Sequence, residues 1–320
     1  MQQPRDNKAG DADQRADGAL VLAHLSDIHL PPPRAYRGHY QAKRVLGMLN
    51  WQRRRRHHLL STLSAIVADM QIAAPDHIAV TGDLVNVGMS SEHEAARRWL
   101  ASLGPPDHVT AIPGNHDIYV EMAATRGIGH WQAFMADDAP LGAKGPFPFV
   151  RRMGAVALVG LNSALPTPLF HAYGRLGPEQ IERLGEILND LGRAGLVRVL
   201  LIHHPPLVGQ AKHRAALKDA DDFAEVLQRH GAELVLHGHN HRAMRAFARG
   251  PVRPIPIIGV PSASLGLTDG ERSLARYNIY RITADPSSPI EMIERGLAIP
   301  GGPVVEIARH RLDAEAAAAT

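Results

Sequence analysis

The nine residues VTAIPGNHD, Val109–Asp117, run from a short apolar stretch through a Pro-Gly break into three polar side chains. The apolar part suits a buried strand, and Pro113-Gly114 stops it. Three chemistries follow. Asn115 offers a neutral oxygen ligand, His116 an acid titrating near neutral pH, and Asp117 a carboxylate expected to orient that imidazole. Alone, this is a turn with useful side chains. Its weight comes from four other segments that end in the same way. Ala19–His29 (ALVLAHLSDIH) closes on Asp27 and His29, which strand alternation would set on one face. Asp76–Val85 (DHIAVTGDLV) carries Gly82-Asp83, Val197–His204 (VRVLLIHH) ends in His203 and His204, and Glu233–His241 (ELVLHGHNH) ends in His239 and His241. Ligand-type residues at the carboxyl ends of strands are where α/β folds build their sites.

Between these strands the periodicity predicts helices over Ala35–His58, Leu59–Ile72, Ser90–Leu103 (with Ser90 or Ser91 as N-cap), Gly177–Leu191 and Asp222–His230. The β–α–β–α–β order predicts a mostly parallel sheet. Residues 118–148, with Trp131 and the pair Asp137-Asp138, read as a helix and a loop beside the site, and 207–220 as a polar, basic loop. Phe149–Asn162 reads as a hairpin turning at Met153-Gly154. After His241, the segments Ile255–Val260, Arg276–Thr283, Pro289–Leu297 and Val304–His310 follow without helices, so a second, largely antiparallel sheet is expected. The organisation read from the chain is a polar tail at 1–18, one domain at 19–311 and a frayed end at 312–320, with no internal repeat.

The chain has 320 residues, 45% hydrophobic and 21% charged, an ordinary globular composition. Its formal charge of +3 is too small to argue for nucleic acid and suits a small anionic substrate equally well. With no cysteine, thiolate and disulfide chemistry are excluded, and any metal must be held by His, Asp, Glu or Asn. Histidine is abundant, at 19 residues. The N-terminus lacks the apolar core of a secretory signal, and no stretch reaches the roughly 18–20 apolar residues of a membrane span. A cytoplasmic protein is expected.

Pooled, the five segment ends offer Asp27 and His29, Asp83, Asn115 and His116, His203 and His204, and His239 and His241. Nitrogen and oxygen donors without sulfur suit Mn, Fe or Zn. A set this large exceeds one tetrahedral site and fits two divalent ions sharing a carboxylate, with Asp83 the natural bridge because it stands alone at its strand end. Two such ions clamp a phosphoryl group and lower the pKa of a bridging water.

The blocks Asp27-Ile28-His29, Gly82-Asp83, Gly114-Asn115-His116-Asp117, His203 and Gly238-His239-Asn240-His241 resemble, in kind and order, the signature of the calcineurin-like metallophosphoesterases. The resemblance implies a four-layer α/β/β/α sandwich with two mixed sheets. It implies one metal on Asp27, His29, Asp83 and His241 and another on Asp83, Asn115, His203 and His239. His203 rather than His204 is carried over because the family ligand lies two residues before the first proline of its block. A bridging hydroxide attacking phosphorus, with His116 as acid and Asp117 behind it, is the implied mechanism. Asn86 stands where purple acid phosphatases carry a metal-binding tyrosine, and His116 where UDP-2,3-diacylglucosamine pyrophosphohydrolases typically carry arginine. The runs GDLVNVGMSSEHEAA, LNSALP and GRLGPEQIERLGEIL are instead similar to the cyclic-nucleotide phosphodiesterase and glycerophosphodiesterase branch. Phosphodiester hydrolysis is therefore expected. A phosphomonoesterase, a nucleotide-sugar or lipid pyrophosphohydrolase, and an inactive binding scaffold are the alternatives.

The basic stretch Lys43–His58, with Arg53–Arg56, is not part of the motif set of that branch. Its readings are a solvated face, closure over the site, or contact with an anionic membrane surface. Asn86, His204 and His213 are candidate substrate contacts.

Overall fold

The computed structural model describes residues 18–32, 41–135, 147–268 and 271–313. The expected N-terminal tail up to residue 17, the Asp137-Asp138 pair and the last seven residues lie outside the described residues.

Two six-stranded mixed sheets stand face to face among the described residues. In the first, β1 (Leu20–Leu25), β2 (His77–Val80) and β3 (Val109–Ala111) are parallel. Three antiparallel strands, β10 (Arg276–Ile282), β11 (Glu291–Leu297) and β12 (Val304–Arg311), extend it from β1. In the second, β5 (Val156–Gly160), β6 (Val197–Leu201), β7 (Leu234–His237) and β9 (Ile255–Gly259) are parallel. Antiparallel β4 (Phe149–Met153) and β8 (Met244–Ala248) form its edges. The expected hairpin at Met153-Gly154 is the β4–β5 pair. The strands after His241 do not form a sheet of their own. β9 completes the second sheet, and β10–β12 return to β1 in the first. Strand type was readable from residue pattern, whereas partner choice depends on which edge lies open.

Alternation along the strands sets the layers. Val156 and Leu158 of β5, with Val199 and Leu201 of β6, join an apolar cluster that also holds Leu22 and Leu25 of β1. That cluster includes Leu63 and Ile66 of α2 (Leu60–Ile72) and Ala96 and Leu100 of α3 (Ser90–Leu103). Ala157, Val159 and Leu200 point the other way, onto Leu184 and Leu188 of α4 (Pro178–Arg193) and Phe223 and Leu227 of α5 (Ala220–His230). One helical layer thus covers each outer face, and the apolar seam between the sheets leaves their carboxyl ends adjacent. The start of α3 differs from expectation. Met89 is its N-cap, and the buried Glu92 carboxylate, at the third helical position, reaches back to accept the amides of Asn86, Val87 and Met89, the glutamate half of a capping box.

The basic stretch forms helix α1 (Ala42–Arg54), laid across the carboxyl ends of the strands. Gly47 makes the approach close. A Cβ there would lie 2.7 Å from the Tyr119 hydroxyl and 2.8 Å from Val87 Cγ1. Lys43 donates to the carbonyls of Tyr119 (2.7 Å) and Thr167 (2.6 Å), and Arg44 to those of Val87 (3.2 Å) and Gly88 (2.6 Å). Among the described residues, no helix is long and apolar enough to cross a membrane.

Candidate metal centre

All the parallel strands that lead into the motif loops end earlier than their sequence suggests. β1 stops at Leu25, β2 at Val80, β3 at Ala111, β6 at Leu201 and β7 at His237. The ligand-type residues lie beyond, in loops, so strand alternation is not what pairs Asp27 with His29. Positive φ does that: Asp27 (55°), His29 (48°), Asp83 (55°), His239 (71°) and His241 (53°) all sit in the left-handed region. Each such placement of a non-glycine residue costs on the order of 1 kcal/mol, and strain of this kind gathers at functional sites. The loops hold one another in these conformations. The amides of Asp27, His29 and Leu30 donate to the carbonyls of Gly82, Asp83 and Leu84 at 3.0, 2.9 and 2.9 Å, continuing the β1–β2 pairing past the strands. Gly114 packs so tightly on the second loop that a Cβ would lie 2.5 Å from the Asp83 amide nitrogen and 2.7 Å from His203 Cε1.

The seven expected ligands converge. His241 Nε2 lies 3.1 Å from Asp27 Oδ1 and 3.3 Å from His29 Nε2. His29 Nε2 is 3.9 Å and His203 Nε2 3.5 Å from Asp83 Oδ2. Asn115 Oδ1 sits 3.2 Å from His203 Nε2 and 2.9 Å from His239 Nδ1. The His239 amide donates to Asp27 Oδ2 (2.9 Å), a contact that ties the two sheets together at the site.

These residues fit divalent cations. Asp27 Oδ1 is buried without a hydrogen-bond partner. His203 Nδ1 donates to the Thr81 carbonyl at 2.6 Å, which fixes the tautomer and leaves Nε2 facing Asp83 and Asn115, as a metal-binding imidazole requires. The donor set is nitrogen and oxygen only. Charge follows geometry. Burial opposes ionisation of Asp27 and Asp83, yet His241 holds the Asp27 carboxyl below its ordinary range and His203, with His116, holds that of Asp83 well below it. Burial also opposes the charged form of His203, but Asp83 raises its pKa to about 9, so a proton and a cation would compete for this nest of lone pairs.

His116 stands at the rim, its amide donating to Asp83 Oδ1 (2.8 Å) and its ring stacked on Tyr119. The expected Asp117–His116 contact is not what orients the ring. His116 Nδ1 donates to the Asn86 carbonyl at 2.6 Å. Asp117 instead accepts four backbone amides: Asp83 and Gly114 on Oδ2, both at 2.8 Å, and Leu84 and Val85 on Oδ1 at 3.0 and 3.1 Å. It clasps two motif loops. Burial, joined by the charge of Asp83, pushes its carboxyl up to about 7 against those four donors. Burial lowers His116, with Asp83 pulling the other way.

The expected substrate contacts also move. Asn86 is buried and its amide donates to the Leu30 carbonyl (2.6 Å). His204 is buried, with Nδ1 on Ser163 Oγ (2.8 Å), Nε2 on the Ala172 carbonyl (3.1 Å) and its ring against His239. Neither lines the cleft above the centre, nor does the exposed His213. Sequence does not say which way a loop side chain turns, and both Asn86 and His204 turn inward.

One residue was missed. His58 lies with His29 and His241, their ligand atoms all within 4.8 Å of one another, and its Nδ1 meets Ser264 Oγ at 2.8 Å. A second such group is Asp27, Asp83 and His203. His58 belongs to no motif block. It arrives because the chain after α1 pairs with Leu265, and abundance of histidine was the only signal for it.

Above the centre the cleft has two lobes, of about 530 and 590 Å³. They share Asn115, His116 and Ala172 and three arginines, Arg54, Arg214 and Arg272.

A profile of the calcineurin-like phosphoesterases matches residues 20–243. The chain belongs to that family, and is a metal-dependent phosphoester hydrolase of α/β architecture. It is 29% identical over 229 residues to a protein of Synechococcus sp. named "Probable cyclic nucleotide phosphodiesterase", covering 70% of this chain and 74% of the relative. It is 24% identical over 254 residues to the glycerophosphodiester phosphodiesterase GpdQ of Enterobacter lignolyticus, covering 74% and 77%. Among solved structures, a dimetal phosphatase from Danio rerio superposes with a TM-score of 0.58 at 11% identity, over 90% of this chain and 98% of that one, a likeness of fold.

Proposed function

We propose that the chain hydrolyses phosphodiesters, of the cyclic-nucleotide or glycerophosphodiester class, at a two-metal centre. The observation that carries this reading is the convergence of Asp27, His29, Asp83, Asn115, His203, His239 and His241 beneath His116. Asp27, His29, Asp83 and His241 would hold one cation, and Asp83, Asn115, His203 and His239 the other. When bound, two divalent ions supply Lewis acidity toward the phosphoryl oxygens and a water of lowered pKa. The rest falls to the chain. Its two lobes meet at Asn115 and His116, giving each ester arm of a diester a place to lie while phosphorus rests over the floor. Water oxygen forms the new bond to phosphorus, the bond from phosphorus to one ester oxygen breaks, and that oxygen needs a proton. His116 is placed to supply it. With Nδ1 committed to the Asn86 carbonyl, Nε2 is the nitrogen left to protonate and donate, and an anionic substrate nearby raises the ring's affinity for that proton. The names of both curated relatives support the diester class over a monoester.

The test compares bis-p-nitrophenyl phosphate with p-nitrophenyl phosphate on protein stripped by chelator and reloaded with Mn, Fe or Zn. The expected result is activity only after reloading and a kcat/KM for the diester at least about tenfold higher. In the same assay His116→Ala should lose on the order of 10²–10⁴ in kcat with metal content kept. A monoester preference would replace the diester reading, and loss of metal in the variant would remove the acid role.

A further inference from the structure

His58 takes no part in the two expected ligand sets, yet its surroundings hold it against one of them. Its ring centroid lies 4.8 Å from that of His29 and 5.6 Å from that of His241, edge to face with both. The ligand atoms of the three histidines all lie within 4.8 Å of one another. Nitrogen ligands stand about 2.1 Å from a divalent ion, so opposite ones are about 4.2 Å apart, and shifts of less than about 1 Å would bring this group to one ion. The backbone at His58 is clamped on both sides. The Leu59 amide donates to the Ser264 carbonyl and the Gly266 amide to the His57 carbonyl, both at 2.8 Å. Gly266 makes this pairing close, since a Cβ there would lie 2.6 Å from Thr62 Oγ1 and 2.7 Å from Leu59 Cδ1. His58 is therefore carried by the 264–266 segment rather than by the docking of α1.

Proton placement follows from the hydrogen bonds. Ser262 Oγ donates to the Asp27 carbonyl at 2.6 Å, so its own proton is committed. Between the hydroxyls of Ser262 and Ser264, 3.3 Å apart, the proton then comes from Ser264. Ser264 Oγ is left to accept from His58 Nδ1 at 2.8 Å. This arrangement puts a proton in every contact and makes Nε2 the lone-pair nitrogen, which has no hydrogen-bond partner among the described residues. An imidazole whose other nitrogen donates to an oxygen is the form that metals bind. On a buried side chain, a nitrogen left without a partner costs free energy unless something binds it.

We propose that His58 is a further ligand of the cation that Asp27, His29, Asp83 and His241 would hold. This rests on the two-metal reading of the floor, though not on which phosphoester is cleaved. Three imidazoles and two carboxylates then surround that ion, against two imidazoles, an amide and the shared carboxylate for the other. A larger set, richer in nitrogen, favours the later ions of the Mn-to-Zn series. The site with His58 is therefore expected to fill first and to take Zn over Mn.

Zinc titration of the chelator-stripped, full-length protein by calorimetry, together with visible spectra of its Co(II) form, tests this without turnover. His58→Ala and His58→Phe, the second keeping a ring in place, should weaken the tighter binding step by at least about tenfold and change the Co(II) bands that grow with it. Ser264→Ala, which frees Nδ1, should weaken that step less. Asp27→Asn, which removes an expected ligand of the same ion, is the reference. Unfolding by denaturant separates ligation from packing: the stability lost in His58→Phe should be larger with Zn bound than in the stripped protein. An unchanged tight step and unchanged Co(II) bands in both His58 variants, with the step weakened in Asp27→Asn, would overturn the assignment of His58 and keep the centre. So would a stability loss equal in stripped and loaded protein. Zinc bound as tightly by Asp27→Asn as by the unsubstituted protein would remove the centre and the part of His58 in it. Tight zinc binding that needs His58, without hydrolysis of bis-p-nitrophenyl phosphate, would remove the diesterase reading and keep the ligand.

Discussion

The floor and the wall of the cleft are built on opposite plans. The floor is five short loops in which most ligand candidates sit at positive φ, each loop held by hydrogen bonds to its neighbours. The wall that carries the basic stretch is a single helix resting on a few points: Lys43, Arg44, Gly47 and the turn that delivers His58. A floor of this kind has almost no freedom to vary, because moving one residue strains several others. A wall of this kind can change its side chains while its docking stays the same. Chemistry is therefore expected to reside in the floor and substrate choice in the wall, and substitutions in the two regions should fail differently.

The largest effect is expected from Asp83→Asn. It removes the carboxylate that faces His29 and His203 and accepts the His116 amide. Metal content should fall and kcat drop by more than about 10³, measured by elemental analysis and diester turnover. Full metal occupancy in that variant would show that the bridge lies elsewhere.

Asp117→Asn tests whether the floor is held together as a unit. The amide offers one accepting oxygen in place of two, so two of the four backbone donors lose their partner. At about 1–3 kcal/mol per unsatisfied buried group, a loss of about 2–6 kcal/mol is expected by denaturant unfolding. Unchanged stability combined with a loss of turnover would instead return Asp117 to a direct part in catalysis.

Gly47→Val should give the smallest and most selective change. The added side chain collides with Tyr119 and Val87 and lifts α1. KM should rise by roughly an order of magnitude while metal content holds, since neither Tyr119 nor Val87 is a candidate ligand. A matching loss of metal would mean that wall and floor are one structure.

The gathering of seven ligand-type side chains and His116 was legible in the sequence because the motif blocks fix residue type and spacing, and because apolar runs ending in polar residues mark strand ends. What holds them was not. The carbonyl that orients His116 belongs to Asn86, and a backbone carbonyl looks the same in every residue. Asp117 reads as a partner of its neighbour, yet three of its four partners are amides from a loop more than thirty positions away. His58 meets His29 and His241 only because α1 crosses the cleft and the chain behind it pairs with Leu265.

By itself, then, the sequence determined the order of the helices and of the strands other than β8, the family, and the motif side chains that could bind metal, since these depend on residue type and local pattern. Tertiary structure decided how the last four predicted strands divide between two sheets, which side chains of Lys43–His58 face the cleft, and which groups position the acid. Those outcomes turn on contacts between segments far apart in the chain, where open sheet edges, close glycine contacts and unpaired backbone groups choose the partner.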